Sequence, residues 1–167
     1  MSRAFVKDDA EAQPLHRPRA PLPDGVRNHV TRRGLALLRT ELDELLTELA
    51  RRERASAAAS ELVALRGRIA ELESRLASAE PVDSADGPPD IVRFGARVTI
   101  RNADGTERAY RIVGVDEANA RDGRIAFVAP LARALLGKRL GESVTWKAPR
   151  GEEELEVLAI EFGDDST

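Results

Sequence analysis

Two ladders of leucines constrain this chain more than any other feature. Behind Thr31, a residue suited to an N-cap, come Leu35, Leu38, Leu42, Leu45 and Leu49 in alternating steps of three and four. A second ladder, Leu62, Leu65, Ile69, Leu72 and Leu76, keeps the same rhythm. Each is the apolar seam of a coiled-coil helix. One continuous rod does not fit, because the step from Leu49 to Leu62 is one residue short of two heptads, with no large apolar residue between. Folding the chain back about the Ala55–Ser56 bond does fit. Leu35 then faces Leu76, Leu42 faces Ile69 and Leu49 faces Leu62, while Leu38 meets Leu72 and Leu45 meets Leu65. The spacing therefore predicts an antiparallel helical hairpin over 30–80, with arms of about 24 residues and roughly 36 Å. Exposed pairs such as Glu48 with Arg52 and Glu71 with Arg75 suit i,i+4 contacts worth about 0.2–0.5 kcal/mol each. Pairs that weak cannot set a topology, so the leucine seam must.

Composition agrees with long solvated helices: 33% of residues are charged and 4% aromatic. The formal net charge of -3 argues against a chain that grips nucleic acid by bulk electrostatics, and leaves only local patches for that role. Cysteine is absent, which excludes disulfides, thiol nucleophiles and thiolate metal sites. The two histidines, His16 and His29, both lie near the N-terminus, so neither a histidine metal site nor a catalytic triad is expected. No apolar run approaches the roughly 20 residues that span a bilayer, and "MSRAFVKDDAEAQ" lacks the apolar core of a signal peptide. A soluble cytoplasmic protein, without cofactor or resident metal and not an enzyme, is the expectation.

Residues 1–29 hold Pro14, Pro18, Pro21 and Pro23 among mixed charges and show no period. They read as a flexible arm; an arm that orders on a partner through Phe5 and Val6 is the alternative. Residues 81–90, "PVDSADGPPD", read as a linker. From 91 to 163 the period becomes that of strands. Arg97 to Arg101 alternate, "NADG" turns, and Glu107 to Val115 return. "RIAFVA" from Arg124 gives a third strand, and Pro130 suits the start of a short helix that Gly137 ends. "ESVTWKAP" and "ELEVLAIEF" give two more, and the apolar phase of the last slips between Val157 and Leu158, as at a bulge. The fold class is α+β: a helical hairpin followed by an antiparallel sheet with one short helix, and a tail at 164–167.

The segments "VTRRGLALLRTEL", "VRFGARVTI", "YRIVGVDEA" and "APLARALLGKRLGESV" together resemble the bacterial Gre-type (GreA/GreB) transcription elongation factors, over about residues 30–162. The resemblance implies a coiled-coil hairpin joined to a C-terminal domain of FKBP-like fold. It also implies RNA polymerase as partner: the C-terminal domain docks on the rim of the secondary channel, and the hairpin enters the channel. Pro130, Leu131 and Arg133 fall in the segment resembling the docking element, although Val128 and Ala129 stand where the family commonly has a polar residue and Ser.

In such factors two acidic side chains at the hairpin tip help hold a second Mg²⁺ and the attacking water, since a hard cation takes oxygen ligands. Here the bend offers Arg51, Arg52, Glu53 and Arg54, then a small-residue run to Glu61. The acidic motif has no match, and the hairpin is shorter. Glu53 and Glu61 lie on opposite arms and could converge, but three arginines crowd Glu53 in sequence. The expectation is a monomeric regulator that occupies the channel without stimulating transcript cleavage. A cleavage factor with a rearranged acidic tip, and a coiled-coil interaction protein unrelated to polymerase, stay open as alternatives. Arg51, Arg52 and Arg54 read either as contacts to nascent RNA, a triphosphate or acidic channel walls, or as solvated ends paired with Glu48 and Glu53. Trp146, Tyr110, Phe127 and Phe162, which could suggest an isomerase pocket, read as core and rim fillers, and Glu152 to Glu154 as a solvated face.

Overall fold

A computed structural model describes residues 19–84 and 86–163. Residues 1–18 and 164–167, with Phe5, Val6 and His16, lie outside the described residues, so most of the expected arm does too. In chain order the elements are β1 (Asn28–Val30), α1 (Arg32–Arg54), α2 (Ala59–Ala77), β2 (Ala79–Pro81), β3 (Arg97–Asn102) and β4 (Glu107–Val113). A 3₁₀ turn at Ala120–Asp122 follows, then β5 (Arg124–Ala126), α3 (Pro130–Leu135), β6 (Ser143–Ala148) and β7 (Gly151–Glu161).

The hairpin forms as the ladders require. Thr31 caps α1, its hydroxyl accepting from the Gly34 N–H at 2.8 Å. At the other end Ser56 takes a left-handed φ of 53°. The Ala57 N–H then reaches the Arg52 carbonyl and the Ser56 N–H the Glu53 carbonyl, each at 3.1 Å. That is the hydrogen-bond pattern of a Schellman stop, with serine in the place glycine usually takes. Arg51, Arg52 and Arg54 fill the last turn of α1, where cations offset the helix dipole. The bend thus falls at residues 55–58, and Leu38, Leu45, Leu65, Ile69 and Leu72 are buried between the two helices, with Leu35, Leu42, Leu49 and Leu76 beside them.

Asn28 and His29, expected in the arm, belong to β1, which pairs in parallel with β2. Three-residue strands are too short to show a period, so neither was visible. Asn28 is buried and its side-chain amide donates to the Arg75 carbonyl at 3.0 Å and to Ser78 Oγ at 3.1 Å, closing the C-terminal end of α2.

The second body is a five-stranded sheet ordered β5-β4-β3-β7-β6. The expected bulge is present: Thr99 faces Ala159 while Ile100 faces Val157, leaving Leu158 as the extra residue. Val98, Ile112, Leu155 and Val157 form the sheet side of the core, closed by Ala132 and Leu135 of α3. Pro130 opens α3, and Gly137, at a φ of 82°, follows its C-cap, Leu136. The sheet is not wholly antiparallel, because residues 114–123 carry the chain back along β4 so that β5 runs parallel to it. The strand expected through Ala129 stops at Ala126, since the Ala129 N–H turns back to the Ala126 carbonyl at 2.8 Å. Likewise β4 ends at Val113, where Gly114 passes under the hairpin root: a Cβ there would lie 2.8 Å from the His29 carbonyl oxygen.

Asp116 and Glu117 clamp the two bodies together. Thr31 Oγ1 donates to Glu117 Oε2, and Arg33 donates to Oε1 of the same carboxylate at 3.1 Å. Asp116 pairs with Arg19 at 3.0 Å and with Arg75 of α2 at 3.4 Å. Arg19 also reaches Glu41 of α1 at 2.5 Å.

Candidate functional site

Chemistry-bearing side chains gather at two places, the far bend of the hairpin and the face around α3. At the bend Arg51 grips Glu48 with two hydrogen bonds, of 2.7 and 2.6 Å. Arg52 takes the same carboxylate at 2.6 Å and also donates across the hairpin to Glu61. These guanidinium hydrogen bonds, first from Arg51 and then from Arg52, hold the Glu48 carboxyl down to about 2, from 4.5. Glu53 accepts from Arg66 of α2 at 2.6 Å. Its partner is therefore a residue of the opposite helix, and not one of the arginines adjacent to it in sequence. Arg66 was missed because a cross-hairpin pair depends on how each helix is rotated about its axis, which the ladder alone does not set. Arg51 and Arg52 are the paired helix end that one reading expected, with Glu48 as acceptor. Arg54 makes no hydrogen bond or ion pair among the described residues.

The two tip carboxylates are thus held apart in chemical terms, each on its own cation. An oxygen that accepts from a guanidinium offers fewer lone pairs to a metal, and the fixed positive charge beside it opposes a divalent ion. Among the described residues no group of three or more His, Asp or Glu side chains is placed to hold a metal ion.

Around α3, Pro130 is exposed, Leu131 packs half-buried against the sheet core, and Arg133 is exposed without hydrogen bond or ion pair among the described residues. Ala129 supplies no side-chain cap, so the helix start rests on proline geometry alone. The four aromatics do not converge on one pocket. Phe127 stacks on His29 with centroids 5.6 Å apart, beside Phe94, and Phe162 lies under the Arg93 guanidinium at 4.3 Å. Tyr110 and Trp146 line a cleft of about 280 Å³ with Leu131. The acids of the clamp, Asp116 and Glu117, were missed as well; their signal was present in "YRIVGVDEA", as two carboxylates directly after a strand.

The two-helix rod is rooted in the sheet domain by the ion pairs of Asp116 and Glu117, and its far end carries the arginine and glutamate pairs described above. Comparison with known proteins gives the family. Residues 87–162 match the family model described as the C-terminal part of transcription elongation factor GreA/GreB. The transcription elongation factor GreA of Azorhizobium caulinodans is 45% identical over 107 residues, which cover 63% of this chain and 68% of that protein. Its counterpart in Acidiphilium cryptum is 43% identical over 100 residues, 59% of this chain and 64% of that protein. The chain belongs to the GreA/GreB transcription elongation factor family. It spans less than two thirds of several relatives: 64% of the Acidiphilium protein and 62% of the GreA of Sinorhizobium medicae. Among solved structures, GreA factor homolog 1 of Thermus thermophilus aligns over 81% of this chain and 99% of that one, at 23% identity and a TM-score of 0.40, a likeness that decides nothing further. No helix of the described residues is long and apolar enough to cross a membrane.

Proposed function

We propose that the protein binds RNA polymerase as a monomer in the cytoplasm, docks through Pro130, Leu131 and Arg133 on the rim of the secondary channel, and inserts its hairpin without stimulating transcript cleavage. Family membership supports the partner. The observation that carries the second half is the pairing of Glu53 with Arg66 and of Glu61 with Arg52. Both carboxylates that could lend oxygens to a catalytic ion are already committed to cations. The factor then acts by obstruction, and the exposed Arg54 is the tip cation left to meet nascent RNA or acidic channel walls. It is not itself an enzyme.

Co-purification with core RNA polymerase tests the partner. Backtracked elongation complexes incubated with the protein test the rest, and short 3′ RNA fragments are expected at the level of polymerase alone. Fragment release above that level would instead support a cleavage factor with a rearranged tip. Failure to bind polymerase would leave a coiled-coil protein with another partner.

A further inference from the structure

The short stretch of chain that leads into β1 ties three parts of the molecule together. Arg19 donates from one terminal nitrogen to Asp116 of the sheet domain at 3.0 Å, and with the other it reaches Glu41 of α1 at 2.5 Å. Arg75 of α2 donates to the Ala20 carbonyl at 2.7 Å and pairs with the second oxygen of Asp116 at 3.4 Å. Leu22, half-buried, shares a hollow with Glu71, Ser74 and Ser78 of α2. Pro21 and Pro23 lower the entropy lost in holding this path, because their fixed φ leaves the unfolded chain fewer states.

The Arg19 side chain is 13% exposed and that of Asp116 7%, and charges so far withdrawn from water need close partners. Asp116 depends on Arg19 for this. Arg75 is too distant to hydrogen-bond its second oxygen, so among the described residues the guanidinium bond from Arg19 is what satisfies the carboxylate. The other half of the fork attaches well along the hairpin. Thr31 and Arg33, which Glu117 holds, stand at the start of α1. Glu41 lies more than two turns beyond Arg33, about 12 Å along the axis. A contact made part-way up a rod resists tilt better than the same contact at its base. A tilt of about 5° carries a point 12 Å out through roughly 1 Å, enough to break a charged hydrogen bond, and moves the first turn far less.

We propose that Arg19 is a positioning residue for the hairpin tip. With Ala20 and Leu22 it forms a strap that stays both helices to the sheet domain, and its two-pronged bridge from Asp116 to Glu41 fixes the angle at which the hairpin stands. Its consequence at polymerase rests on the obstruction reading above: a hairpin free to tilt occupies the channel for less of the time, while the face around α3 is untouched.

The test is a distance distribution measured on the full chain. The sequence has no cysteine, so Ala58→Cys at the bend and Thr145→Cys on β6, both exposed, give two unique sites for spin labels. Arg19→Ala is expected to broaden the distribution by several ångström. Glu41→Gln, at a side chain 40% exposed, is expected to do so as well without moving the thermal midpoint. Arg27→Ala removes the exposed pair with Glu80 from the same stretch and is expected to leave the wild-type width. Wild-type width in either Arg19→Ala or Glu41→Gln overturns the inference. Equal broadening in Arg27→Ala overturns it too, since loss of any cation there would then have the same effect. On elongating RNA polymerase at saturating protein, Arg19→Ala is expected to slow transcription several-fold less than the wild type; equal slowing despite a broadened distribution overturns the role in obstruction. A wild-type chain that does not bind polymerase removes the obstruction reading, while the distance distributions still decide whether Arg19 sets the hairpin.

Discussion

Ser56 holds a backbone angle that an L side chain resists, since its Cβ crowds the neighbouring peptide at a φ of 53°. Ser56→Gly should stabilise the protein by about 1 kcal/mol, read as a higher denaturation midpoint in urea; a lower midpoint would show that the serine side chain contributes something the backbone geometry does not reveal. Glu48 couples the hairpin tip to pH. With its carboxyl held at about 2 in the folded protein against 4.5 otherwise, it favours folding most fully above pH 4.5, and that contribution fades as pH falls towards 2. A carboxyl carbon NMR titration should place the Glu48 midpoint near the lower value, and a midpoint near the upper one would mean that Arg51 and Arg52 do not grip it in solution. Gly34 is fixed by contact, because a Cβ there would come within 2.8 Å of Glu117 Oε2 and 3.2 Å of Thr31 Oγ1. Gly34→Ala must push Glu117 off the α1 N-terminus, lowering the thermal midpoint by several degrees.

At the scale of elements, the hairpin was legible because ten large apolar residues repeat about a single point, and only a fold at that point matches every pair. Leu72, fully buried, is the strongest test of the seam: Leu72→Ala should cost about 2–5 kcal/mol in urea denaturation, whereas Leu37→Ala, at an exposed site, should stay within about 0.5 kcal/mol. Near-equal losses at the two positions would mean that the ladders do not form the interface. The bulge at Leu158 was legible for a similar reason, since a slipped phase in an alternating strand has few other physical meanings. The short paired strands β1 and β2 were not, and neither was the parallel edge strand β5, because three-residue segments take their pairing from the bodies they join rather than from their own pattern.

For the whole molecule, the sequence disclosed two bodies but not how they are joined. Asp116 and Glu117 appear in the chain as two acids after a strand, and only the folded arrangement brings Arg19, Thr31, Arg33 and Arg75 to meet them. At the tip, the partners of Glu53 and Glu61 were not legible. Both bridges span the two helices, so their identity depends on helix rotation. The clamp carries a prediction of its own. Asp116→Asn with Glu117→Gln should leave both bodies folded while broadening the distance distribution between a spin label at the tip and one on β6. An unchanged distribution would mean that the paired strands and the His29–Phe127 stack hold the root without the acids.

The clamp sits at the fulcrum of a lever. Helix α1 has 23 residues, so the tip stands about 34 Å from the root, and a tilt of about 10° there sweeps it through roughly 6 Å. Where the far end of this protein points is therefore decided by two carboxylates at its near end.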